Sequence, residues 1–197
     1  MMKTDMKRLF DFVAVAAAVA AFFSCTPKGA CVIDGNVSYP QYETIYMVDI
    51  AGEVVDSAAR ASDGDFRFVY DKVDLMPQMV VLEFRNKDVP ADRMYLPVAL
   101  EPGDVKVNIG EYIGIWGTPL NYEIKDFFDD LQALTDEYAE NVSTVDQMDA
   151  AFSSFYLEKM QENSDNVFGV YLKLAYAREL LPEHLQILVD EASESAE

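Results

Sequence analysis

Few side chains in this sequence are of types that carry chemistry, and they are scattered. The chain holds two cysteines, Cys25 and Cys31, and one histidine, His184. Zinc asks for about three or four His, Cys or carboxylate ligands in a set pattern, which this supply does not form. His184 stands near a predicted helix start and no motif pairs it with a serine or cysteine nucleophile, so a surface or packing role is expected. The acidic groups Asp63-Gly64-Asp65, Asp126-Asp129-Asp130 and Asp136-Glu137-Glu140 are the candidates for calcium. None has the EF-hand spacing with its glycine and final glutamate, and solvated helix faces and a turn explain them better. Two carboxylates across a cleft could hydrolyse a glycoside, but with 35 acids in the chain some pair always qualifies. Trp116 and Tyr112 could form a platform for a sugar ring; their place between two differently patterned halves favours packing. Phosphate loops, nucleophile elbows and metalloprotease motifs are missing. No catalytic residue, metal or other cofactor is expected.

The charge balance narrows the partners. Lys plus Arg is 15 against 35 Asp plus Glu, a formal net charge of −20 over 197 residues. Phosphate backbones and anionic headgroups are repelled by such a surface, so no nucleic acid is expected and membrane attachment requires a covalent anchor. The N-terminus supplies one. Lys3, Lys7 and Arg8 precede the unbroken apolar run Phe12 to Phe23, and Ser24 leads directly into Cys25. The run is too short for the ~20 residues of a membrane span and has signal-peptide length. The arrangement resembles a bacterial lipobox, although Phe22 and Phe23 stand where that motif prefers Leu and a small residue. The resemblance implies residues 1–24 as signal peptide, lipidation of Cys25, and residues 25–30 as a tether. Cleavage after Ala18-Val19-Ala20 is the competing reading. Removing the first 24 residues leaves 12 basic and 33 acidic side chains, or −21.

Two halves with different periods follow. Residues 31–116 show short runs rich in Val, Ile, Tyr and Phe with turn signals every eight to twelve residues, as in a sandwich or barrel. The predicted strands are 31–37, 44–50, 54–60, 66–70, 79–84, 94–100, 105–109 and 112–116. Asp63-Gly64 reads as a hairpin turn and Pro102-Gly103 as a tight turn. From Thr118 the period becomes helical. Thr118-Pro119 opens a long helix with Leu120, Ile124, Phe127, Leu131, Leu134 and Tyr138 on one stripe. Thr144 and Gln147 form a capping box for a second helix whose face is Val145, Met148, Phe152, Phe155 and Lys159 or Met160. A third starts near Asn166 with Val167, Val170, Tyr171 and Leu174, and Pro182 opens a fourth with Leu185, Leu188 and Val189 inward. The expected fold is α+β: an N-terminal antiparallel β-sandwich over residues 31–116 and a C-terminal helical bundle over residues 117–197.

Several short motifs recur in the order known from one family. They are Ile33-Asp34-Gly35, Gly52-Glu53-Val54-Val55-Asp56-Ser57-Ala58, Asp63-Gly64-Asp65-Phe66-Arg67-Phe68, Leu100-Glu101-Pro102-Gly103, Gly117-Thr118-Pro119-Leu120-Asn121 and Asn163-Ser164-Asp165-Asn166-Val167-Phe168-Gly169. Together they resemble the domain-of-unknown-function 4369 family of Bacteroidetes lipoproteins. In that family the module commonly precedes a thioredoxin-like domain with a Cys-x-x-Cys pair. This sequence has no Cys-x-x-Cys, so the redox activity is carried onto none of its residues. The tether Thr26-Pro27-Lys28-Gly29 lacks the acidic cluster of surface-exported Bacteroidetes lipoproteins, which implies a position facing the periplasm. Asp56-Ser57-Ala58 resembles the O-glycosylation motif of Bacteroidetes envelope proteins, with Ser57 as acceptor.

These readings converge on a membrane-anchored, periplasm-facing lipoprotein that acts as a non-catalytic binding or scaffold module. The alternative is a docking or accessory half of a thiol–disulfide system, meeting a separate thioredoxin-like protein. In that case Cys31 is the thiol that could contact the partner; otherwise it is a small buried strand residue.

Overall fold

Among the described residues, eight strands precede four α-helices; a computed structural model describes residues 29–71, 73, 77–141 and 144–194. The strands are β1 Cys31–Val37, β2 Thr44–Asp49, β3 Val54–Ala59, β4 Asp65–Tyr70, β5 Gln78–Arg85, β6 Arg93–Leu100, β7 Gly103–Ile109 and β8 Ile113–Trp116. The helices are α1 Pro119–Glu140, α2 Val145–Glu162, α3 Val167–Tyr176 and α4 Pro182–Glu194, with a 3-10 turn Ala177–Glu179 before α4. The cause of the strands is period-2 alternation. In β4, Phe66 and Phe68 are buried while Asp65 and Arg67 are exposed, and successive side chains of a strand point to opposite faces.

Two four-stranded sheets result. Sheet A has the order β4-β1-β7-β8 and sheet B the order β3-β2-β5-β6. All pairings are antiparallel except one: β1 runs parallel to β7, with Ile33 opposite Val105 and Val37 opposite Ile109. The inner faces meet in an apolar core of Ile33, Phe66, Val105 and Ile115 from one sheet against Ile45, Leu82, Phe84 and Leu96 from the other. The architecture is α+β, a sandwich followed by helices. The Asp63-Gly64 turn forms, with Gly64 at φ +99° and its N–H donating to Ala61 O. It is not a hairpin within one sheet, because β3 pairs with β2 and β4 with β1, so the turn carries the chain from sheet B to sheet A. A turn signal specifies the reversal, not the sheet each arm joins.

The helices continue the same core: Ile124, Phe127, Leu157, Met160, Phe168 and Leu172 belong to one cluster with the strand residues. They lie against β5, β6 and β8. The junction is built from two of the short motifs. Glu101, in the turn between β6 and β7, accepts hydrogen bonds from Thr118 Oγ1 at 2.6 Å and from the Leu120 amide at 2.9 Å. Glu101 therefore does the capping of α1, and Thr118 makes no side-chain cap of its own. Asn121, fully buried, accepts from the Ala99 amide at 3.0 Å and donates to Ala99 O at 2.8 Å and to Thr118 Oγ1 at 2.7 Å. It occupies the place a neighbouring strand would take beside β6. Just before α1, Gly117, at φ +124°, lets the chain pass close to β7, since a Cβ there would lie 2.1 Å from Asp104 O.

The capping box of α2 is present, with the Gln147 amide donating to Thr144 Oγ1 at 3.2 Å and the Thr144 amide to Gln147 Oε1 at 2.9 Å. The packed faces of three helices differ from expectation. In α2 the expected Met160 is buried and Phe155 packs against the core, joined by Ser153 and Leu157, whereas Val145 is 70 % exposed. The first turns of α2 stand beside the last turns of α1, where Tyr138 meets Phe152, so these apolar residues have one helix as neighbour rather than a core. In α3, Phe168, Gly169 and Leu172 are buried, whereas Val170 and Leu174 are exposed. This short helix is apolar on most sides, so periodicity had no polar face to orient it. In α4, Leu188 packs against the core while Leu185 and Val189 are exposed.

Candidate functional site

Alternation gives sheet A an outer face with two rows of side chains crossing all four strands. One row is Arg67, Asp34, Lys106 and Trp116, and the next is Asp65, Asn36, Asn108 and Gly114. Three cross-strand hydrogen bonds hold these polar groups in place. Arg67 Nη1 donates to Asp34 Oδ1 at 2.7 Å, Lys106 Nζ to Asp34 Oδ2 at 2.7 Å, and Asn36 Nδ2 to Asp65 Oδ1 at 2.8 Å. Asn108 is fixed as well, its Nδ2 donating to Tyr112 O at 2.8 Å. Asp34 is thus the hinge of the face, one carboxylate bridging cations on both neighbouring strands.

Trp116 lies at the edge of this face, on β8, and not between the sandwich and the helices. Its six-membered ring passes over Gly114: a Cβ added there would sit 3.0 Å from Trp116 Cζ3 and 3.5 Å from Tyr112 Cε2. The missing side chain of Gly114 leaves room for both aromatics on the same side of the strand. Tyr112 is 66 % exposed. The face borders an open recess of about 980 Å³ lined by Asp34, Asn36, Arg67, Lys106, Asn108 and Trp116 among others, within the size of small-molecule sites. The packing role expected for Trp116 from its position in the chain is therefore corrected. Its neighbours across the sheet are polar, because β8 turns its inward Ile115 to the core and its outward Trp116 to the open side.

Other candidate residues are placed as follows. Cys25 lies outside the described residues. Cys31 is on the inner face of β1 with 0 % exposure, and burial pushes its thiol up to about 11, with Glu101 and Asp104 adding negative charge nearby. A thiol in that setting is almost wholly protonated at neutral pH and is shielded from a partner's disulfide. Ser57 lies on β3, an edge strand exposed along most of its length, with Tyr46 as its partner on β2. Its own amide donates to Asp56 Oδ1 at 2.7 Å.

His184 does meet a serine, which no motif announced. Ser153 Oγ lies 2.7 Å from His184 Nδ1 and accepts the Leu181 amide at 2.7 Å. Ser153 is fully buried, so no acyl group can reach its oxygen; the pair ties α2 to the start of α4. The acids of α1 gather with those of the α2–α3 turn around a recess lined by Glu123, Asp126, Asp129, Asp130, Glu162 and Asp165. Lys159 bridges Asp130 at 2.9 Å and Glu162 at 3.1 Å. Desolvation, followed by repulsion from Glu101, Asp165 and Asp126, raises the Glu123 carboxyl above its ordinary range. Among the described residues, no group of three or more His, Cys, Asp or Glu is placed to hold a metal ion. No described helix is long and apolar enough to cross a membrane.

Comparison with known proteins adds no relative: no family model, no curated protein and no solved structure matches this chain.

Proposed function

We propose that this chain is a non-catalytic binding module of the bacterial cell envelope, held at the membrane through a lipid on Cys25 and facing the periplasm. It binds through the outer face of sheet A. The observation that carries the reading is that face: Arg67 and Lys106 fixed in advance by the Asp34 bridge, half-buried Trp116 and exposed Tyr112 at one end, and an open recess beside them. Groups held before a ligand arrives lose little freedom on binding, which is how such a face gains affinity. The export signal and Cys25 support the anchor, and the motif order supports kinship with the family named above. Cys31 supports only docking without a disulfide, should the partner be a thioredoxin-like protein.

Two measurements test the reading. The tryptic peptide Cys25–Lys28 from native membranes is expected to carry acyl chains; an unmodified Cys25 removes the anchor. A photo-crosslinking residue at position 112, in living cells, is expected to give an adduct that the same residue at position 187 on α4 does not. Equal labelling at both positions, or none at 112, removes the binding face.

A further inference from the structure

The outer face of sheet A also carries the chemistry of its ligand, and the inference rests on the binding-module reading above. We propose that the ligand is an uncharged pyranose oligosaccharide lying across the strands, one ring against Trp116 and the next rings along Lys106, Asp34 and Arg67.

The geometry has three parts. A pyranose has two apolar C–H faces and a rim of hydroxyls, so it needs a flat aromatic surface with donors and acceptors at its margin. Trp116, its six-membered ring over Gly114, supplies the first, with Tyr112 beside it. Lys106 is directly opposite Trp116 and Asn108 directly opposite Gly114, so the margin on the neighbouring strand is an ammonium and an amide. The spacing fits as well. Neighbouring strands lie about 4.8 Å apart, close to the length of one ring in an extended glycan. A chain laid along the Trp116–Lys106–Asp34–Arg67 row therefore meets a new polar side chain with each sugar.

The charges select an uncharged ligand. Arg67 and Lys106 share Asp34, and Asp65 and Asp104 line the same recess, so three carboxylates outweigh two cations and a polyanion finds no excess of positive charge on this face. The chain as a whole, at −20, repels it. A protein partner would ask for an apolar centre with a polar rim; here the centre is an ion-paired row and the aromatics are at one end.

Trp116 is the sole tryptophan of the chain, so its emission reports on this site alone. The full chain, held in a detergent without a sugar headgroup, is titrated with cellohexaose, laminarihexaose, mannohexaose, xylohexaose, maltohexaose and chitohexaose. At least one is expected to shift and change the Trp116 emission saturably, and calorimetry is expected to give the same affinity. Trp116→Ala is expected to weaken that affinity about tenfold or more, and Tyr112→Ala, at an exposed position that leaves the core intact, by about threefold or more. Trp116→Phe should retain part of it. Response to chitohexaose alone assigns the ligand to amino-sugar polymers of the wall type; response to the others assigns it to plain hexose or pentose chains. Absence of binding to all six up to roughly 10 mM overturns the proposal, as does binding that both variants leave unchanged. A silent panel together with an intact crosslink at position 112 removes the sugar and keeps the binding face; loss of both removes the module reading itself.

Discussion

The two outer faces of the sandwich start from the same alternation and end in opposite states. Sheet B places Met79, Val81, Pro97 and Ala99 outward, and α1 and α3 lie against these strands. Sheet A places charged and amide side chains outward at the matching positions and keeps Trp116 and Tyr112 beside them. Sheet B also has a charged cluster, further along the same face. Glu83, only 4 % exposed, is bonded to Arg85 Nη2 at 2.5 Å and Arg93 Nη1 at 3.1 Å, while the Arg85 guanidinium lies 4.3 Å from the centre of the Tyr46 ring. There the carboxylate is sealed, its side chain 6 % exposed under two arginines that keep one side in water. In the Asp34 cluster, with one arginine and one lysine, the carboxylate itself is 30 % exposed. Burial separates a structural charge network from a face that can still form hydrogen bonds with something else.

The contrast can be broken at the junction first. Asn121→Ala leaves the Ala99 amide and carbonyl buried without partners and is expected to destabilise the fold by about 2–4 kcal/mol, read by denaturant unfolding. If the helices covered sheet B by apolar contact alone, the loss would stay well under about 1 kcal/mol. Glu83→Gln is next, at about 1–2 kcal/mol, because its two arginines remain partly in water. The Arg85 hydrogen bond holds the Glu83 carboxyl below its ordinary range, ahead of the opposing desolvation and the Arg93 charge. Wild type therefore binds fewer protons there folded than unfolded. The stabilisation is complete above the ordinary carboxylate range and vanishes as pH falls through the depressed value, so wild type and Glu83→Gln should converge in acid.

Sheet A should respond differently. Gly114→Ala is expected to shift the Trp116 emission with a stability change under about 1 kcal/mol, since the added Cβ meets the ring and not the core. Arg67→Ala should cost no more than about 0.5 kcal/mol in thermal unfolding, as an exposed pair does. A loss as large as that of Glu83→Gln would show that the two clusters do the same work. The smallest effect is chemical: Cys31 should resist a thiol reagent at pH 7 in the native protein and react once it is unfolded.

The strands were legible because one face of each is apolar, and all eight lie within a residue or two of the periodic runs. The start of α1 and the capping box of α2 were legible because capping is local. What failed was whatever depended on neighbours. The outward Trp116, the sheet switch at Gly64, the Glu101 cap and the Ser153–His184 contact each join residues whose proximity no spacing in the chain announces. The faces of α2 and α4 held at Phe155, Met160 and Leu188 and failed at Val145 and Leu185, which follow a helical period without a core to receive them.

The parallel pairing of β1 with β7 has a consequence for timing. β1 sits inside sheet A between β4 and β7, and its Cys31 faces Gly103 across the parallel register. A chain that emerges N-terminus first can assemble β2 with β3, and then β5 and β6, from near neighbours. Its first strand must wait for partners more than 70 residues downstream in the case of β7, and contacts of such separation form late. A side chain with 0 % exposure in the folded protein is thus open to solvent until β7 pairs with β1.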